Sequence, residues 1–317
     1  MNNYKPPFKI TNKILNLVSE ITNILGKISY LNNLDKHPRL RKHNRLKSVQ
    51  SSCSIENNTI TLKEAAELID GKAIGNGSIK EQAEIINAYK AYDLINEINP
   101  YDLNDLLKVH KVMINDLAPE SGTLRSRQVC VMNGDVMIHI GPSHKLVPTL
   151  ITQLFDWLKN TDTHPLIKST VFHYEFESIH PFNDGNGRMG RYWQSALLNK
   201  WNPIFQWMPI ESIILKYQKE YYKAIYECGQ QGDITLFIEF MLSVIKETLV
   251  NVEKLLGVLK DNVLTPKEIM EKLQIKSRDT LRNSYIKPAL EAGVIESTKP
   301  NSPRSNQIRY RKVRFWE

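Results

Sequence analysis

Residues 180–191 read His-Pro-Phe-Asn-Asp-Gly-Asn-Gly-Arg-Met-Gly-Arg. One titratable base, one carboxylate, two glycines around an asparagine and two arginines fall within one short stretch. Chemistry on a nucleoside triphosphate needs such a set: a base for an incoming hydroxyl, a magnesium ligand, backbone donors for phosphate, and cations for the remaining charge.

The elements that must position these groups follow from the flanking pattern. Leu166, Ile167, Val171, Phe172, Phe176 and Ile179 have helical spacing, so a buried helix is expected to end near Ile179. Pro181 pushes the residue before it out of the α region, which delivers His180 to a loop. There an imidazole titrates near neutrality. Gly185 and Gly187 free the backbone around Asn186 to form an anion-binding nest. Met189 to Leu198 reads as a helix, so the nest would lie on a helix N-terminus, where free N–H groups and the helix dipole favour phosphate. Arg188 and Arg191, three apart, share one helix face. Two cations at a helix start are unfavourable unless an anion sits there, and a guanidinium matches phosphate in a bidentate way. Asp184 supplies the single carboxylate that magnesium takes alongside substrate phosphates. Phe182 is expected to point into the core and anchor the loop.

His173, Glu177 and His180 also have ligand-like spacing. Their order is not His-Glu-x-x-His, and Pro181 breaks the helix at the third candidate, so a zinc or di-iron site is disfavoured. His173 reads as a hydrogen-bonded core residue.

The stretch 180–191 resembles the signature of the Fic (Fic/Doc) family, His-Pro-Phe-x-Asp/Glu-Gly-Asn-Gly-Arg-x-x-Arg, at every specified position, and the likeness extends over roughly residues 40 to 245. The resemblance implies a mainly α fold: a helical Fic core with a small β-hairpin flap. It also implies AMP transfer from ATP to a Ser, Thr or Tyr hydroxyl of a target protein. His180 would then be the general base and Asp184 the Mg²⁺ ligand. Gly185, Asn186 and Gly187 would cradle the α- and β-phosphates, with Arg188 and Arg191 on the β- and γ-phosphates. The phosphotransferase branch carries Lys in place of Gly187, which argues against kinase-like chemistry.

Ser52-Cys-Ser-Ile-Glu56-Asn57 is similar to the family's inhibitory motif Ser/Thr-x-x-x-Glu-Gly/Asn. By that likeness Glu56, on a helix near residues 48–57, pairs with Arg191 and denies it to the γ-phosphate. Gln128 to His139 has β-rich arms around Asn133-Gly134-Asp135, a strong hairpin signal. In the family such a flap binds the target backbone as an added strand. Val129, Cys130, Val131 and Met132 are candidates for the ATP pocket. Gly122-Thr-Leu124-Arg125 departs from the family's Gly-x-aromatic-Arg at Leu124. Tyr222 is a candidate for packing on adenine, with Tyr221 beside it; core packing of the pair is the alternative reading.

Composition sets the frame. The chain has 317 residues, 41% hydrophobic and 24% charged, with net charge +8 and three scattered cysteines. That is an ordinary globular composition. It has no apolar stretch fit for a bilayer and no compact signal core, and it fits a reducing cytoplasm. The domains expected are an N-terminal helical region over 1–100, a Fic core over 101–250, and a third domain over 255–317. The basic run Arg39 to Lys47 reads as a solvated helix face. Thr265-Pro266-Lys267-Glu268 is a capping box with proline at the first helical position. Two short helices and a basic strand over Ile308 to Phe315 follow, with Gly293 ending the second helix. This looks like a winged helix. Ser277, Arg278, Thr280 and Arg282 would lie on its recognition helix, and Arg304, Arg309 and Arg311 on its wing. Its partner is DNA, or another protein or a second copy of the chain, since fold does not fix function.

The reading is therefore a self-inhibited protein adenylyltransferase. The alternatives are a DNA-binding regulator with a nucleotide-sensing Fic core, or a Fic enzyme that uses another donor or removes AMP.

Overall fold

The computed structural model describes residues 4–29, 38–133, 136–206, 208–291, 294–299 and 307–313. The chain divides into two compact units: Met1–Thr11, Arg45–Pro203 and Pro209–Met241 form the first, and Asn12–Asn44, Ile204–Met208 and Leu242–Glu317 the second. The described structure is mainly helical, as expected.

At the centre of the first unit, α7 (Pro165–Ile179) packs along α8 (Asn186–Trp201). Leu166, Val171, Phe172 and Phe176 have no exposed surface, and neither do Ser169 and Thr170, whose hydroxyls turn back to Leu166 O at 3.2 and 2.9 Å. A helix without a polar stripe belongs inside. Around the pair lie α3 (Leu62–Ile69), α4 (Ile79–Asp93), α5 (Leu103–Met113), α6 (Val147–Asn160), α9 (Ile210–Lys216) and α10 (Gln218–Gln231). Capping boxes start α3 (Thr61 with Glu64) and α4 (Ser78 with Glu81), which fixes both entry points. The hairpin pairs β1 (Cys130–Asn133) with β2 (Val136–Ile140), Asn133 opposite Val136. Gly134 and Asp135 lie outside the described residues.

Two expectations about α2 (Pro38–Ile55) need correction. Its basic run is not a solvated face along its whole length: Asn44, Leu46 and Lys47 are buried, as are Ser48, Val49, Ser51, Ser52 and Cys53. A lysine stem is apolar and buries readily while its ammonium finds a polar neighbour. The helix also stops at Ile55, one residue before Glu56, and Asn57 is left-handed at φ 66°. That conformation suits Gly or Asn, the two residues the inhibitory motif allows there.

The second unit holds α1 (Asn12–Ser29), the later part of α11 (Thr235–Leu259), and a C-terminal assembly of α12 (Pro266–Leu273), α13 (Arg278–Thr280), α14 (Lys287–Glu291), β3 (Ile295–Ser297) and β4 (Tyr310–Lys312). Thr265 caps α12 with Glu268, as its sequence predicts. β3 pairs antiparallel with β4, Glu296 opposite Arg311. The second helix is not uniform: Leu281–Ile286 forms a π turn between α13 and α14. Gly293, Arg304 and residues 314–315 lie outside the described residues. Among the described residues no helix is long and apolar enough to cross a membrane.

Candidate active site

The signature loop joins α7 to α8. His180 caps α7 with φ 50° and ψ 62°, left-handed rather than the extended form expected before proline. Arg125 holds it there: its Nε donates to His180 O at 2.8 Å and its backbone N–H to Pro181 O at 2.9 Å. The His180 ring turns back, with Nδ1 at 3.3 Å from Glu177 O. A carbonyl only accepts, so Nδ1 carries the proton and the lone pair lies on Nε2.

Asn186 closes the loop with its side chain. Its Oδ1 accepts from Phe182 N at 2.9 Å and its Nδ2 donates to Phe182 O at 2.8 Å. Gly185 N–H donates to Asp184 Oδ1 at 2.6 Å, and Gly185 sits at φ 81°, where a Cβ would meet Ile114 Cδ1 at 2.4 Å. Phe182 is fully buried, as expected, and stacks on His110 with ring centroids 3.6 Å apart. His110 Nδ1 accepts from Gly122 N–H at 2.9 Å while Nε2 donates to Asp184 O at 3.1 Å. Burial holds this imidazole down at about 4, so it stays neutral and bridges the segment before the hairpin to the loop.

Both arginines enter α8 on one face, and the chain itself supplies their anions. Arg191 is 1% exposed; its Nη2 donates to Glu56 Oε1 at 2.7 Å and to Ser52 O at 3.0 Å, and its Nε to Ser52 Oγ at 3.1 Å. Burial opposes the guanidinium charge, and the Glu56 carboxylate overrides it, holding the Arg191 pKa above its ordinary value. Gly187 leaves the room: a Cβ there would lie 2.2 Å from Glu56 Oε1. Arg188 is 4% exposed, with Nη2 at 3.3 Å from Asp184 Oδ1 and Nη1 at 3.8 Å from Glu84 Oε1. Its Nε and Nη1 have no hydrogen-bond partner among the described residues. Glu84 is steadied by Asn58, whose Nδ2 donates to Oε2 at 3.0 Å.

α2 is tied down at both ends of this segment. Glu211 on α9, fully buried, accepts from Ser48 Oγ, Tyr92 OH and Ser195 Oγ, each at 2.7 Å. At the last residue of the helix, Ile55 O accepts from Gln218 Nε2 at 3.0 Å and from Tyr222 OH at 3.3 Å. Tyr222 is 42% exposed, while Tyr221 is a core residue whose hydroxyl donates to His173 Nε2 at 3.0 Å. His173 is fully buried and bonded on its other side to Gln194, which fits the core reading and leaves no lone pair for a metal. Burial lowers its pKa to about 3. No cluster of metal-binding side chains occurs among the described residues.

Val129 is half-buried at the foot of the hairpin, its carbonyl accepting from Gly141 N–H at 3.2 Å. Cys130, Val131 and Met132 form β1, and their side chains lie outside the described residues. The sequence missed His110, Glu84, Asn58 and Glu211. Arg125 was visible only as the arginine closing Gly122-Thr-Leu-Arg. Glu211 carries no local signal at all.

Comparison with known proteins agrees with this fold. Residues 100–198 match the Fic/DOC family, and residues 250–312 match the C-terminal domain of Fic-like proteins (filamentation induced by cAMP). A crystal structure of a Fic family protein from Desulfovibrio desulfuricans G20 is 39% identical, covers 98% of both chains and superposes with a TM-score of 0.74. The chain belongs to the Fic family. Two curated relatives named protein adenylyltransferase Fic are similar over two thirds of the chain: one from Culex quinquefasciatus at 30% identity and one from Drosophila willistoni at 29%. The chain spans 42% of the length of each.

Proposed function

We propose that the protein transfers AMP from ATP to a Ser, Thr or Tyr hydroxyl of a target protein, and that Glu56 restrains the transfer. One observation carries the reading. Two buried arginines stand side by side at the start of a helix, one with unsatisfied donors and one occupied by the carboxylate of Glu56 from the turn that follows α2. Buried guanidinium groups with spare donors call for a polyanion.

His180 Nε2 takes the proton of the target hydroxyl. The oxygen attacks the α-phosphorus, the bond from that phosphorus to the bridging oxygen breaks, and pyrophosphate leaves. Gly185, Asn186 and Gly187 face the α- and β-phosphates, with the N–H groups of Asn186 and Gly187 as donors while that of Gly185 stays on Asp184 Oδ1; Arg188 faces the β-phosphate, and Arg191 the γ-phosphate once Glu56 withdraws. The Asp184 carboxylate, 40% exposed, fits Mg²⁺ held jointly with phosphates, and the ion would neutralise charge on the leaving group. With Glu56 in place the γ-phosphate is refused and ATP cannot align. Tyr222, beside the end of α2, is read as an adenine neighbour. The site works in the cytoplasm, where the buried Cys53 and Cys228 persist as free thiols. Residues 255–317 are read as a winged helix that contacts DNA.

The test is labelling with ATP radioactive at the α-phosphate. Weak self-labelling is expected from the wild type, strong labelling from Glu56→Gly, and none from His180→Ala, which still binds ATP. Equal labelling by wild type and Glu56→Gly would remove the inhibitory role; retained transfer in His180→Ala would remove the base. Competition by other labelled nucleotides tests the donor.

A further inference from the structure

The C-terminal segment carries most of the chain's net positive charge. Residues 255–317 hold thirteen Lys and Arg against seven Asp and Glu, a net +6 of the chain's +8. The same segment contains the one helical irregularity described in the fold. Leu281 and Ile286 are both buried, at 2% and 4% exposure, yet they lie five residues apart. On an α-helix such a pair diverges by about 140°. The π turn, which closes i to i+5, stacks them on one face. Its counterpart on the outside is that Arg282 and Lys287, also five apart, line up with Arg278 one turn earlier. All three are exposed. Without the π turn Lys287 would swing away from Arg282, so the irregularity keeps three cations in one row about 14 Å long. π turns of this kind concentrate at functional sites.

The surroundings do not neutralise the row. Among the described residues no ion pair involves Arg278, Arg282 or Lys287. The acidic residue on the same stretch is Asp279, in the first turn, where it serves the helix N-terminus. The two-stranded sheet packs on α14 through β3, and on β4 burial raises the Tyr310 pKa while the Arg282 charge opposes it. There Arg309 is exposed, whereas Arg311 is already bound to Glu296 at 2.5 Å.

We propose that Arg278, Arg282 and Lys287 form a phosphate-gripping stripe that seats the C-terminal segment on duplex DNA. The proposal rests on the DNA reading of residues 255–317 and names the residues that carry it. A duplex fits because each strand carries one phosphate per 3.4 Å of helix axis, so a row of about 14 Å laid along the axis covers the rise of about four of them. Contacts of this kind position a protein without reading sequence.

The full chain is titrated with a mixed-sequence 30-base-pair duplex from about 50 to 200 mM salt. Wild type should bind with a steep log–log salt slope. The triple variant Arg278→Gln, Arg282→Gln, Lys287→Gln should show a slope shallower by about 2.7, near 0.9 for each lost phosphate contact. Arg278→Lys with Arg282→Lys and Lys287→Arg keeps the charges and should keep the slope, which separates lost charge from lost folding. No binding by wild type at the lowest salt overturns the DNA reading itself. Binding with an unchanged slope in the Gln variant overturns the stripe alone. Tighter binding of single-stranded RNA than of the duplex overturns the choice of partner. Alpha-phosphate labelling in the Gln variant should equal that of wild type.

Discussion

On the proposal that Glu56 restrains AMP transfer, removing the Glu211 carboxylate should raise transfer from a distance, because that group docks the helix that presents Glu56. Its three hydroxyl donors, Ser48, Tyr92 and Ser195, are all buried and all at 2.7 Å. A hydrogen bond to a charged acceptor contributes about 1.5–3 kcal/mol. After Glu211→Ala the two serines can turn to a carbonyl of their own helix, but Tyr92 has no such recourse. The total loss should be about 3–5 kcal/mol, with one bond's share, about 1.5 kcal/mol, borne by α2 through Ser48. That share is roughly tenfold in how firmly α2 presents Glu56 to Arg191. Thermal unfolding should therefore fall by roughly 10 °C for a unit of this size. Labelling from α-phosphate-labelled ATP should rise about tenfold in the same variant. Ser48→Ala should reproduce most of the activation for about 1 kcal/mol of stability. Adding Glu211→Ala to Glu56→Gly should raise labelling no further, since both act through one contact. A Glu211→Ala protein that melts earlier yet labels like wild type, while Glu56→Gly is activated, would refute the docking argument.

Three further outcomes follow from the site. Gly187→Ala should abolish labelling in both wild-type and Glu56→Gly backgrounds, because a Cβ there narrows the phosphate cradle; activation in the first background would mean that the glycine serves only to seat Glu56, 2.2 Å from that Cβ. The His110 pKa lies at about 4 against an ordinary 6.5, so its neutral form stabilises the fold above pH 6.5 and that stability fades as pH falls toward 4; in melting curves His110→Gln should lose less stability over that interval than wild type, and parallel curves would refute the assignment. Burial lifts Glu177 to about 8 against an ordinary 4.5, so its contribution is intact below 4.5 and declines as pH rises through 8; Glu177→Gln should melt higher than wild type at pH 8, and a lower melting point would show that the carboxylate has a partner there.

Much of the site could be read from local pattern, because Pro181, Gly185, Gly187 and the two arginines act within one turn of chain. The anion expected beside Arg188 and Arg191 was also legible in outline. What the sequence could not show is that Glu84 joins Asp184 and Glu56 there, since it lies a hundred residues upstream and resembles any helix-surface glutamate. The basic run Arg39 to Lys47 was misread for a related reason: Asn44 and Lys47 look solvent-facing in sequence, yet both are buried. Asn186 was read for its backbone, whereas its side chain closes the loop. The π turn escaped because helical periodicity over 278–291 is tested against a single repeat. Asn57 ran the other way, its motif preference for Gly or Asn being explained by a left-handed backbone.

Arg125 gives the hairpin a stiff line to the histidine. One guanidinium reaches Pro142 O at 2.5 Å beyond β2, Arg127 O at 2.8 Å before β1, and His180 O at 2.8 Å. On the proposed function, a target peptide laid along the strand edge would pull on the same bracket that keeps His180 in its unusual backbone twist. Substrate arrival and base alignment would then be geared together, so a poorly seated polypeptide would meet a poorly aimed imidazole.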